Sequence, residues 1–320
     1  MTKVPKLLID GLNREATTPV PDPGTQALVA AIRARSRGEV RAILFYGSGF
    51  RGGVRPDTVH DFYALVDRQR DFEIRPVVAG LGSILPPNVY YLETTVEVDP
   101  GPTRFRAKCA VVSWSQFDRA TRGIAATPHI WARFAQPCRI VYAVDADTCN
   151  AVVGMLGRAV MTFHEKIRPL APPHADARSF WVAGLSETYA RELRSERPTR
   201  AAAVFDADPA PLAWRSQLAL SALAGRGHAP TAPERVPPPS TGRRLRGRAI
   251  SAFARPAGKL GTLLRLMKAT VTFEGGVDYV LWKIERHSGI RETPSAFARR
   301  HPLIGGWPIL IRLYRKGAFR

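Results

Sequence analysis

Apolar and polar positions along this chain fall into two regimes, strand-rich at first and helical later. From Gln26 to Ser36, QALVAAIRARS carries apolar residues at helical spacing and stops before a glycine, so an amphipathic helix is predicted there. Arg41 to Tyr46, RAILFY, is a short β-prone run that ends at Gly47-Ser48-Gly49, the pattern of a strand entering a glycine turn. After the turn-rich GFRGGVRPDT come four more strand candidates: VHDFYALVD, NVYYLETTVEV, TRFRAKCAVVSW and CRIVYAV. From Asn150 the period changes, and AVVGMLGRAVMTFHEKI, SFWVAGLSETYARELRSE and PLAWRSQLALSAL are predicted helices. Strands mixed with helices make the first part α+β, and residues 150–225 form a mainly helical unit.

Beyond residue 225 the stretch HAPTAPERVPPPSTGRRLRGR has no period and is rich in proline and arginine, which predicts a linker over residues 226–248. Residues 249–320 return to apolar faces on a basic background, in AISAFARPAGKLGTLLRLMKATVTF, VDYVLWKIERHSG and HPLIGGWPILIRLYRKG. Charge sharpens this picture. The chain carries 47 Lys and Arg against 27 Asp and Glu, a net +20. Residues 241–320 alone hold 17 basic and 4 acidic residues, so most of the surplus sits there and expects a polyanion. Three cysteines at no metal-ligand spacing fit a reducing, cytoplasmic setting. No signal-peptide core and no membrane-spanning apolar run are visible, so contact with a membrane is expected to be peripheral.

The chemistry concentrates at YGSG and the following HDFYALVD. Glycines at 47 and 49 let backbone N–H groups approach a triphosphate, and the Ser48 hydroxyl can donate to a phosphate oxygen. Asp61 on the neighbouring strand is the expected Mg²⁺ carboxylate. A partner two residues on would share its face, but that position is Tyr63. Asp67 shares the face of a regular strand at roughly 20 Å, so a bend, or Glu93 and Glu97 on a later strand, are the weaker metal candidates. This outline is that of a nucleotidyltransferase site, with domain limits of 1–149 for its sheet and flanking helices.

The wider pattern resembles the mitochondrial-type phosphatidate cytidylyltransferases, a family that also has bacterial members. FYGSGF, DFYALVD, NVYY, AKCAVVS, WARFAQP, VAGLSETYARELRSE and AISAFARPAGKLGTLLRLMKA follow that family's order from Phe45 to Ala269. The resemblance implies transfer from CTP to phosphatidic acid, giving CDP-diacylglycerol in phospholipid biosynthesis. It implies Gly47, Ser48 and Gly49 as the CTP phosphate turn and Asp61 as the metal carboxylate. Lys108 would reach a triphosphate oxygen and Arg133 would pair with a phosphate as a planar fork. The family's His-Tyr-Ser stretch has no counterpart in RQRDFEIRPVVAGLGS, and the chain from Asp278 onward extends past the alignable part.

For the basic region, Ile250, Phe253, Leu260, Leu263, Leu264, Met267 and Val271 offer an acyl-facing side. Arg255, Lys259, Arg265 and Lys268 are the expected ligands of anionic headgroups on the inner face of the cell membrane. Nucleic acid is disfavoured, because Phe253 and Phe273 are poorly placed to stack bases. His164 and Glu165 lack a second histidine at zinc spacing and are expected on a solvated helix face. Two other functions stay open: a catalytically silent nucleotidyltransferase fold that binds nucleic acid or protein through its charge, and a nucleotidyltransferase with another acceptor.

Overall fold

The computed structural model describes residues 3–47, 49, 58–73, 75–99, 101–125, 128–192, 199–225, 239–272, 281, 284–285, 288–300 and 302–317. Helix α1 (Lys6–Ala16) leads into α2 (Pro23–Arg35), whose start is set by Pro23 in the first turn and by Asp22, which accepts the Thr25 N–H at 2.7 Å. Strands β1 (Val40–Tyr46) and β2 (Val59–Val66) follow, then a short 3₁₀ turn (Gln69–Asp71) and α3 (Pro76–Ile84). The hairpin β3 (Asn88–Val98) and β4 (Gly101–Ser113) runs into α4 (Trp114–Thr121), capped reciprocally by Ser113 and Gln116. Helix α5 (His129–Phe134) precedes β5 (Cys138–Ala143).

The strands form one mixed five-stranded sheet in the order β3-β4-β2-β1-β5. Only β2 and β4 are parallel, and α3 with β3 makes the crossover that a parallel pair needs. Helix α2 covers one face, where Leu28 and Ile32 pack on Ile43, Phe45, Phe62, Val66, Cys109 and Val111. The opposite face presents Leu44, Tyr63, Leu65, Ala110 and Val112 to α1, α4, α5 and α6 (Ala146–Ile167). The same apolar interior continues through α7 (Ala177–Ala190), α8 (Arg200–Asp206) and α9 (Pro209–Leu223), reaching Phe180, Trp181, Leu212 and Ala219. The fold is therefore α+β, and its core crosses the sequence boundary at residue 150 without a break.

Two expectations change. The stretch expected to be a linker as far as residue 248 is helical from Thr241, while residues 226–238 lie outside the described part. Arginine is a good helix former, and Gly247 lets this turn sit against the Pro169 ring while most of its other side chains stay exposed. His164 is fully buried rather than solvated, because it continues the apolar stripe of α6 through Leu156, Val160, Phe163 and Ile167.

Helix α10 (Thr241–Thr272) is the long basic element, and Pro256 lies within it. Near its start Ser251 donates to the buried Glu187 carboxylate of α7, which also takes Arg255 at 2.7 Å and Arg191 at 3.0 Å. Towards its end Lys268 Nζ donates to the backbone carbonyls of Leu85 and of Pro87, the latter at 2.6 Å. Helices α11 (Ala296–Arg300) and α12 (Pro302–Arg315) form a small apolar cluster with Met267 of α10. Among the described residues no helix is long and apolar enough to cross a membrane.

Candidate active site

Strand register builds the site. Tyr46, Asp61, Lys108 and Tyr91 are successive register partners across β1, β2, β4 and β3, so their side chains form one row on one face of the sheet. One pleat deeper, Tyr63 and Ala110 are buried. Asp61 thus stands at the border between the apolar interior and solvent, half-buried, next to half-buried Lys108. Among the described residues neither Asp61 nor Lys108 has an ion-pair partner, so both charges are available to a ligand.

The glycine turn folds against the start of β2. Gly47 has φ +86°, and a Cβ there would stand 3.4 Å from Asp61 Oδ2. A Cβ on Gly49 would approach within 2.5 Å of His60 Nδ1, so close passage over that ring requires glycine. Ser48 and residues 50–57 lie outside the described part. His60 is a further residue of this region that no sequence motif singles out. It is buried behind the turn, 3.1 Å from the Thr58 hydroxyl and edge-on to Phe45, with only its position beside Asp61 as a signal.

Arg133 enters from α5. Its guanidinium lies over the Tyr46 ring at 4.6 Å from the centroid, and its Nε is buried with no hydrogen-bond partner. The residue is half-buried, and a buried donor left unmet is costly unless an acceptor completes it. Asp61 and the Tyr46 and Tyr63 hydroxyls lie within electrostatic reach. Burial pushes the Tyr63 hydroxyl up to about 12 and Tyr46 higher still, against the pull of Arg133 on both. Both phenols therefore stay protonated near neutral pH, which removes them as general bases.

The weaker metal candidates do not join Asp61. The β2–β4 register runs unbroken from Val59 to Val66, so no bend returns Asp67, which instead pairs with Arg41 at 3.5 Å. Glu93 shares the face but stands two strands away, about 10 Å at the usual strand spacing. Its carboxylate accepts from the Tyr91 hydroxyl at 2.6 Å and pairs with Arg104 and Arg106, and these contacts hold it below the usual carboxylate range. Glu97 is further still, opposite Pro102 near the hairpin turn. No group of three His, Cys, Asp or Glu able to hold a metal exists among the described residues. One hard, half-buried carboxylate beside Gly47 nevertheless fits Mg²⁺, which commonly takes one or two protein carboxylates and completes its shell with water and substrate phosphates.

The four cations expected at headgroups separate. Lys259 is exposed and Arg255 is exposed but paired with Glu187. Lys268 is buried, because the carbonyls of Leu85 and Pro87 capture its ammonium, and it is not a headgroup ligand. Arg265 is half-buried within electrostatic reach of Tyr63 and Glu192, and burial lowers its pKa. Met267, one of the expected acyl-facing residues, packs into the cluster with α12.

No family model matches this chain, and no curated protein matches it.

Proposed function

We propose that this chain is a nucleotidyltransferase, specifically a phosphatidate cytidylyltransferase that converts CTP and phosphatidate to CDP-diacylglycerol and diphosphate at the inner face of the cell membrane. The observation that carries the reading is the convergence, among the described residues, of an unpaired carboxylate, Asp61, an unpaired lysine, Lys108, and a half-buried guanidinium whose buried Nε has no partner, Arg133, around a positive-φ glycine. Such a set suits a ligand that is a polyanion yet needs one carboxylate, as a metal-bound nucleoside triphosphate does.

The chemistry asks little of protein acids or bases. A phosphomonoester with a second pKa near about 6 is largely dianionic at neutral pH, so its oxygen attacks the α-phosphorus of CTP without a proton acceptor. A new P–O bond forms to the α-phosphorus and the bond to the β-phosphate oxygen breaks, releasing diphosphate. Lys108 and Arg133 stabilise the charge that moves onto the leaving group, and the glycine turn offers backbone N–H donors. Asp61 would hold Mg²⁺, which supplies charge neutralisation on the phosphate oxygens when bound.

Membrane contact is supported by α10. Leu245, Ile250, Phe253 and Leu260 are each more than half exposed, among the exposed cations Arg243, Arg246, Arg248 and Lys259. This combination fits an anionic bilayer surface. The test is incubation of purified protein with [α-³²P]CTP, Mg²⁺ and phosphatidate vesicles. Label is expected in the lipid phase, and Asp61→Ala is expected to abolish it. Undiminished turnover by that variant, or labelling of RNA or protein in place of lipid, refutes the reading.

A further inference from the structure

Helix α10 has two opposed faces with opposite surroundings. Ser251, Gly258 and Arg265 recur at spacings of seven residues, which keeps them on one side of a helix. That side is docked: Ser251 bonds Glu187, and Gly258 lies directly against the Arg191 carbonyl. Phe253 and Leu260, also seven apart, point the other way into solvent. Arg265 is thus a cation on the side of the helix that faces the protein.

Its position is held from three directions. Upstream, the Glu187 contacts with Ser251 and Arg255 fix the helix to α7. One turn downstream, Lys268 pins it to the carbonyls of Leu85 and Pro87, immediately before β3. Thr262 accepts from Arg265 Nη2 at 3.2 Å and so orients the guanidinium. Tyr63, two residues along β2 from Asp61 and on the same face, lies within reach of Arg133, Arg265, Glu192 and Asp61. Arg133 and Arg265 thus share the surroundings of Tyr63 with Asp61 and Glu192, and Lys108 is the register partner of Asp61.

We propose that Arg265 binds the phosphate of the acceptor, so that α10 supplies the acceptor side of the site while Lys108 and Arg133 serve the triphosphate. This rests on the cytidylyltransferase reading. A phosphomonoester dianion matches the planar fork of a guanidinium, and the helix that carries the fork turns its apolar side outward, where a lipid acceptor arrives. The ligand class is a phosphomonoester on a lipid, not a free phosphate.

The full-length protein is tested by calorimetric titration with dihexanoyl phosphatidate, with glycerol 3-phosphate and with dihexanoylglycerol, alongside steady-state assays in which CTP and phosphatidate are varied separately. Arg265→Ala is expected to raise the KM for phosphatidate by between about ten- and one-hundredfold, the range for losing a charge-assisted hydrogen bond. The KM for CTP should stay unchanged, and Arg265→Lys should recover part of the loss. A structural role alone would instead lower thermal stability and affect both substrates alike, and that result overturns the proposal. So does tight binding of dihexanoylglycerol, or equal binding of glycerol 3-phosphate and phosphatidate. If the wild type binds phosphatidate through Arg265 but transfers no cytidylyl group, the acceptor site stands and the proposed reaction falls. Normal turnover with an unchanged phosphatidate KM in Arg265→Ala leaves the reaction standing and sinks the acceptor site.

Discussion

Acidification should weaken this fold through one buried histidine. The Val160 carbonyl, 2.8 Å from His164 Nδ1, can only accept, so Nδ1 carries the proton. Nε2 then accepts from the Ser216 hydroxyl at 2.9 Å, and Ser216 Oγ accepts the Trp181 indole N–H at 2.8 Å. The neutral ring satisfies every member of this chain, whereas protonating Nε2 would leave the hydroxyl without its acceptor and bury a charge near Arg215. Burial accordingly lowers the His164 pKa to about 4 from the ordinary 6.5. The native state therefore binds fewer protons than the unfolded chain below pH 6.5, so stability is intact above that value and falls as pH drops towards 4. The gap is worth at most about 3.4 kcal/mol, and about 2 kcal/mol should already be lost near pH 5. Guanidinium chloride unfolding, followed by circular dichroism near about pH 7.5 and about pH 5, measures the loss. His164→Gln keeps a donor and an acceptor but does not titrate, so its loss over the same interval should be smaller by about 2 kcal/mol. Equal losses in the two proteins would show that His164 does not carry the dependence.

Two further outcomes follow from the site and from α10. Gly47→Ala places a Cβ on a φ of +86° and against the Asp61 carboxylate, so it should cost about 1–2 kcal/mol in chemical denaturation and reduce cytidylyl transfer more steeply than phosphatidate binding. Phe253→Glu combined with Leu260→Glu alters only exposed positions, so co-sedimentation with anionic vesicles should fall while turnover of dihexanoyl phosphatidate in solution persists. Unchanged sedimentation would remove α10 as the lipid-facing element.

Much of the sheet was legible because strand and turn signals coincide: RAILFY, VHDFYALVD, NVYYLETTVEV and CRIVYAV all became strands within a residue or two. The pairing of Tyr46 with Asp61 follows once β1 and β2 are antiparallel neighbours, which a glycine turn between two β-prone runs already favours. Lys108 joined them through a parallel pairing that no local signal announces. The short helices α3, α4 and α5 were missed because six to nine residues carry too little period to separate from loops. The helical phase of His164 points inward, since three and four residues before it lie Met161 and Val160, both buried.

Helix α10 is legible in part: Ile250, Phe253 and Leu260 face outward as the acyl-facing reading expects, while Met267 and Lys268 are buried. An amphipathic pattern states that two faces differ and leaves open which one the protein covers. The usual rule would bury Phe253 and Leu260 and solvate Arg265 and Lys268, yet the fold does the reverse. Small residues explain how: Gly247 against Pro169 and Gly258 against the Arg191 carbonyl let the helix backbone approach where a larger side chain would hold it off. They do not explain why, since taking cations out of water costs free energy while Phe253 stays in it. Carbonyls compensate Lys268, and Glu187 compensates Arg191 and Arg255. Two features are left, the cations Arg133 and Lys108 near Asp61 and the uncovered apolar side chains on the outer side of α10. A ligand with an anionic head and an apolar tail, presented at an anionic surface, suits both.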